Sequence, residues 1–287
     1  MPITIIEGIS KWKVMDLDLA TIIGIILGVG SLVYGFTLEG GTVTSLLGVS
    51  AALIVFGGTI GATITSYSME DIKKVPGLLV RAFKNEKDNY LEIIKYFTFL
   101  AQKARSEGLL SLESEIESED IKKFDPILKE CLELVVDGSD MELIRTTMEN
   151  KIYVEDLEAK KEAGIFESAG GYAPTMGIIG TVMGLVHVLS SLNEPDKLGP
   201  AIAMAFIATL YGVSSANLFW LPIAQKLKNR AKIKRTEREL ILEGSLSLQA
   251  GENPKILERK LMTFITQSQL KNIPQKGSVE LNEEVGR

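Results

Sequence analysis

"GYAPTMGIIGTVMGLVHVL", residues 171–189, is apolar enough to cross a bilayer, yet it carries Pro174, four glycines, two threonines and His187, the single histidine of the chain. At about 1.5 Å of rise per residue, a helix through this stretch covers about 30 Å, the thickness of the hydrocarbon layer. Three further runs have the same character. The spans are placed at 17–36, 45–66, 169–192 and 200–224, and the chain is read as an all-α, polytopic membrane protein with four transmembrane helices in two hairpins. The rest of the 287 residues must then hold nearly all of the charge, which is 24% of the composition. A helical cytoplasmic domain between the hairpins accounts for it.

Lysine and arginine set the orientation. They are absent from the short connector 37–44, and Lys197 stands alone in 193–199, so both short connectors face outward. The segment 1–16 with Lys11 and Lys13, the stretch 67–168, and the region 225–287 with its basic "KLKNRAKIKR" then lie in the cytoplasm, which places both termini inside. The basic residues next to the fourth span are expected to snorkel toward anionic headgroups. The first run is too long for a cleavable signal, and no small-residue cleavage site follows it. A net charge of −6 argues against a nucleic-acid partner. One cysteine and one histidine exclude a disulfide framework and a metal site, so no cofactor, no metal and no enzymatic nucleophile are expected.

Within the cytoplasmic segment, "NYLEIIKYFTFLAQKARSEG" spaces Leu91, Ile94, Phe97 and Ala101 at three and four residues and ends on Gly108, as an amphipathic helix does. "DPILKECLELVVDG" repeats the pattern between Pro126 and Gly138, and puts Cys131 on its apolar face as a buried thiol. From Met141 a charged helix is predicted to run on into the third span, as the fourth span runs on into "QKLKNRAKIKRTERELILEG".

Glycines four apart, Gly24 with Gly28, Gly57 with Gly61 and Gly180 with Gly184, strip one helix face each and predict close packing. Apart from Asp18 at the entrance to the first, none of the spans contains Asp, Glu, Lys or Arg, the residues that mark ion pathways in membranes. If ions move here, another chain brings the carboxylate. Pro174 and Pro222 each remove a backbone donor and free a carbonyl, which either shapes a kink or meets a side chain, water or ion. Thr181 shares a face with Pro174, and antiparallel pairing sets Thr209 at similar depth. Each hydroxyl can instead bond its own backbone four residues back. His187 reads as a packed neutral imidazole rather than a proton relay.

"APTMGIIGTVMGLVHVL", "GPAIAMAFIATLYGVSSANLFWLPIAQKL" and "LILEGSLSLQAGENPKILERKL" together resemble the MotA family of bacterial flagellar stator subunits, within the MotA/TolQ/ExbB superfamily. "DLATIIGIILG", "ALIVFGGTIGATITS" and "ARSEGLLSLE" match as well, so the likeness covers nearly the whole chain. It implies a homopentamer around a MotB-type single-span subunit that carries an intramembrane aspartate. Pro174, Gly177, Gly180, Thr181, Gly184, Thr209, Tyr211 and Pro222 would form the ion pathway and partner-helix contact, with the glycines admitting the partner. Arg105 and Glu113 would engage the rotor protein FliG. A third rotor contact falls at Glu149, Asn150 or Lys151 and is not assigned.

The implied function is to couple ion flow across the bacterial cytoplasmic membrane to torque for flagellum-dependent motility and chemotaxis. The ion is expected to be H+; alternatives are a Na+-driven subunit of the same family or an ExbB/TolQ-type energiser of outer-membrane transport. The latter has one span before its cytoplasmic domain, where this chain has two.

Overall fold

The computed structural model describes residues 18–85, 89–190, 193 and 195–266. The segment 1–16 and the acidic tail "SVELNEEVGR" lie outside the described residues, as does the side chain of Lys197. The described residues are helical, without a β-strand.

Helix α1 (Leu19–Leu38) begins two residues after the expected boundary because Asp18 caps it: the carboxylate accepts from the Ala20 N–H at 3.0 Å and pairs with Lys226. That explains an acid at the edge of a span. Helix α2 (Val43–Ser66) opens on a 3-10 turn, Val43–Leu46, and contains a π turn at Leu53–Gly57. Helix α3 (Met69–Phe83) is capped by Ser68, and α4 (Tyr90–Glu107) stops at Gly108, whose φ of 86° favours glycine. Helix α5 (Pro126–Val136) has Asp125 as its cap, at 2.9 Å from the Ile127 N–H.

The third span lies inside α6 (Met141–Ser190), one unbroken helix of 50 residues, as expected. The fourth lies in α7, which runs from Pro195 to Ser215, widens into a π turn at Ala216–Trp220 and continues through Leu221–Gln249. The π turn ends two residues before Pro222. That proline has no N–H for the Leu218 carbonyl and its ring crowds the same carbonyl, so a wider turn there relieves the clash. Helix α8 (Pro254–Met262) closes the described chain.

The division into compact units differs from the expected 67–168 domain. One unit comprises residues 1–86 and 158–231, the other 87–157 and 232–287, and α6 and α7 contribute a part to each. In the first, Leu78 and Ala82 of α3 share a core with Ala163, Phe166, Ile223 and Leu227, so this helix belongs with the spans. In the second, Phe97, Leu100, Leu128, Leu132 and Ile144 pack with Leu240, Ile241, Leu257 and Leu261. Residues of the C-terminal helices are therefore part of this second core and not an appendage to it. Cys131 is fully buried there, and burial pushes its thiol up to about 12.

Candidate functional site

The third and fourth spans touch backbone to backbone. A Cβ on Gly177 would sit 2.9 Å from the Ala208 carbonyl oxygen and 3.1 Å from Thr209 Cα. One on Gly212 would sit 2.5 Å from the Ala173 carbonyl oxygen and 3.1 Å from Gly177 Cα. Gly180 faces the methyl of Ala208, and Gly184 that of Ala205, each at 2.6 Å from a would-be Cβ. The small-residue face of the third span at Gly177, Gly180 and Gly184 is thus packed against this chain's own fourth span. Among the other glycines, Gly28 meets Leu218, whereas Gly24, Gly57 and Gly61 have no neighbouring atom within 4 Å.

That close approach brings two hydroxyls together. Thr181 Oγ1 and Thr209 Oγ1 are in direct hydrogen-bond contact. Thr181 Oγ1 also lies 3.1 Å from the carbonyl oxygens of Gly177 and Ala205, and Thr209 Oγ1 lies 3.5 Å from Gly177 O. Both sequence readings therefore hold at once for Thr181: it can bond its own backbone four residues back, and it meets its counterpart across the helix pair. Two hydroxyl protons serve one hydroxyl and the flanking carbonyls, so one threonine donates to the other while that one donates to a carbonyl. The result is a small oxygen cluster inside the hydrocarbon layer. Both threonines are half-buried.

Tyr211 does not join this cluster. Its hydroxyl donates to the Leu46 carbonyl at 2.5 Å and accepts from the Gly48 N–H at 3.1 Å, so it secures the start of α2 to the fourth span. Pro174 is half-buried two turns before Thr181, at the carbonyl of Gly170. Pro222 is exposed, about 20 Å along the helix from Thr209 at 1.5 Å per residue. His187, expected to be packed, is exposed on this chain. Gly212, Ala205 and Ala208 went unassigned, although small residues at three- and four-residue spacing in "AIAMAFIATLYG" carry the signal of a close-packing face.

In the other unit, Arg105 ends α4, and Glu113 begins a one-turn helix, Glu113–Ile116, after the 3-10 turn Leu109–Leu112. Both are exposed and neither forms an ion pair among the described residues; the neighbouring pair Lys103–Glu115, at 2.6 Å, ties the two strands of this hairpin instead. Two free, opposite charges are left on one corner. Glu149 pairs with Arg145 at 3.7 Å and Lys151 with Glu130. Among the described residues no group of three or more His, Cys, Asp and Glu could hold a metal.

The profile of the MotA/TolQ/ExbB proton channel family matches residues 119–240, and that of the Motility protein A N-terminal region matches residues 22–108. Motility protein A of Bacillus subtilis is 39% identical over 270 residues, 93% of this chain and 98% of the relative. The flagellar MotAB stator complex from Bacillus subtilis contains a chain that superposes with a TM-score of 0.82 at 39% identity, covering 90% of this chain and all of the other. A chain of C. jejuni MotAB superposes with the same TM-score at 32% identity over 90% and 98%. Backbone, spans and sequence agree, and the chain belongs to the MotA family of flagellar motor stator subunits within the MotA/TolQ/ExbB proton channel family.

Proposed function

We propose that five copies of this chain surround a MotB-type single-span partner and convert proton flow across the cytoplasmic membrane into torque on the rotor. The observation that carries the reading is the Thr181–Thr209 oxygen cluster in spans that contain no acid beyond the capped Asp18. A conducting path needs a titratable group, and the partner's aspartate supplies it. Taking or losing a proton there changes a charge in a low-dielectric site, which weighs several kcal/mol and biases which subunit the carboxylate contacts next. Pro174, two turns before Thr181, shapes the third span beside that contact, while Pro222 lies at the far end of the fourth. The proton is favoured over sodium because the two hydroxyls satisfy each other and the carbonyls of Gly177 and Ala205 without an added cation, whereas sodium would need several oxygens turned toward it at once.

Both termini lie in the cytoplasm in this reading, together with the Arg105 and Glu113 corner, which meets charged residues of the rotor protein FliG. The unpaired state of both side chains supports this, since an internal salt bridge would compete with the partner. The test is deletion and pull-down. Loss of swimming in a deletion strain, restored by the tagged chain, together with recovery of a single-span protein bearing an acid within its span, is expected. Undiminished swimming, or a tagged chain that retains no such protein, would contradict the proposal.

A further inference from the structure

A groove of about 260 Å³ opens where α2, α3, α6 and α7 meet, walled by Ile72 and Pro76 of α3, Ile165 and Phe166 of α6, Thr59 of α2 and Trp220 of α7. Its lining is apolar but for Thr59, Thr63 and the Trp220 indole N–H, and of these only the Thr63 hydroxyl has a hydrogen-bond partner, the Thr59 carbonyl. Thr59 is completely buried and its hydroxyl has no hydrogen-bond partner; the indole N–H of Trp220 is buried and equally unpartnered. Each stands in or beside a π turn. The later hydroxyls of α2 bond back four residues: Thr63 to Thr59 O at 2.8 Å, Thr65 to Gly61 O at 2.9 Å and Ser66 to Ala62 O at 2.8 Å. The corresponding acceptor for Thr59 is Val55, which sits inside the π turn Leu53–Gly57, so the hydroxyl is left over. Trp220 is the last residue of the other π turn, with its ring held against Phe219 and Phe166 at centroid distances of 5.0 and 6.4 Å.

Buried donors without acceptors are rare in proteins and point to something that binds there. Water is a poor candidate, because an apolar groove with two unpartnered polar groups cannot give several waters the three or so partners each needs. The occupant must have an apolar body and an oxygen acceptor at one end. The groove lies at the end of the spans, bordered by the amphipathic α3 with its charges, and this is the depth at which tryptophans meet the glycerol region of a bilayer. We propose that the groove holds an acyl chain of an ester-linked phospholipid, whose ester carbonyl accepts from Trp220 Nε1–H and Thr59 Oγ1–H. The bound lipid completes the joint between α3 and the spans, and this holds whichever ion the assembly conducts.

Trp12→Phe leaves Trp220 as the sole tryptophan. The full chain with that change, in lipid nanodiscs, is titrated with phosphatidylglycerol brominated near the ester, and competed with unlabelled ester-linked or ether-linked phosphatidylglycerol. Trp220 should be quenched, and the ester lipid should compete about threefold or more better than its ether analogue, as loss of one or two hydrogen bonds implies. Thr59→Val should shrink that ratio and Thr59→Ser restore it, with both variants as stable as the parent in detergent, since the hydroxyl they alter makes no protein contact. Equal competition by ester and ether lipid, a ratio indifferent to Thr59→Val, or no quenching by brominated lipid would each overturn the proposal, the last because protein then fills the groove.

Discussion

Gly212→Ala adds a single methyl where the third and fourth spans meet backbone to backbone. The new Cβ would stand 2.5 Å from the Ala173 carbonyl oxygen, against an ordinary contact of 3.4 Å or more, and a main-chain oxygen in mid-helix cannot swing aside. The helices must part by about 1 Å. Overpacking of this kind costs about 1–3 kcal/mol. The separation also draws Thr181 Oγ1 from its 3.1 Å contact with Ala205 O, and hydrogen bonds between spans are worth about 0.6–2 kcal/mol. The total is about 2–5 kcal/mol, a melting temperature lower by several degrees. The assay is thermal unfolding of the purified chain in detergent, alongside swimming of a complemented deletion strain. Gly35→Ala is the control, because a Cβ there meets no atom within 4 Å. Gly212→Ala should lose both stability and motility while Gly35→Ala keeps both. If Gly212→Ala melts with Gly35→Ala, the intimate helix contact that brings the threonines together is wrong.

Arg105→Glu should abolish or sharply reduce swimming with membrane abundance and partner retention unchanged, and a charge reversal in the rotor protein should restore part of it; normal swimming would leave the charge as ordinary solvated surface. Asp125 tests the core of the second unit: burial pushes its carboxyl up, but Lys234 at 2.8 Å, the Ile127 N–H and Arg238 at 3.0 Å outweigh this and hold it below the usual carboxylate range. Its contribution to stability is therefore present above the unfolded carboxylate pKa of about 4 and is lost as pH falls through the lower folded value. Asp125→Ala removes the helix cap and one partner each of Lys234 and Arg238, which keep Glu237 and Glu155, and should cost about 1–3 kcal/mol at neutral pH and flatten the acid limb of the stability profile. For topology, single cysteines at the exposed positions Thr42 and Arg259 are treated with an impermeant thiol reagent on intact cells in a Cys131→Ser background. Thr42 should label and Arg259 should not; the reverse would invert the orientation.

The four spans and their continuation into long helices are legible because hydropathy and length state them directly, and Gly108 and Gly138 punctuate the helices between the second and third spans as the pattern requires. The grouping of helices into units was not legible. That Leu78 packs with Phe166 and Ile223, and Leu240 with Phe97, depends on contacts between residues far apart in sequence, which periodicity shows only as an apolar face without naming its partner. The same limit applies to the site. Helical winding and antiparallel pairing put Thr181 and Thr209 at one depth, and they do meet. Which neighbour the glycine face receives is a tertiary question, and the small residues Ala205, Ala208 and Gly212 answer it once the fourth span is read as that face's complement. The bond of the Tyr211 hydroxyl to the backbone of Leu46 and Gly48, more than 160 residues back along the chain, is hidden from the sequence for a related reason. The two π turns left no sequence mark beyond Pro222.

Swimming speed with sodium replaced by potassium, at fixed pH and fixed proton-motive force, tests the central claim most directly. A proton-coupled stator, with Thr181 and Thr209 satisfied by each other and by the carbonyls around them, predicts no change in speed on removing sodium and a graded loss as the proton-motive force is collapsed. A motor that stops without sodium and recovers in proportion to added sodium would show that the threonine cluster serves a metal cation, and would contradict the account.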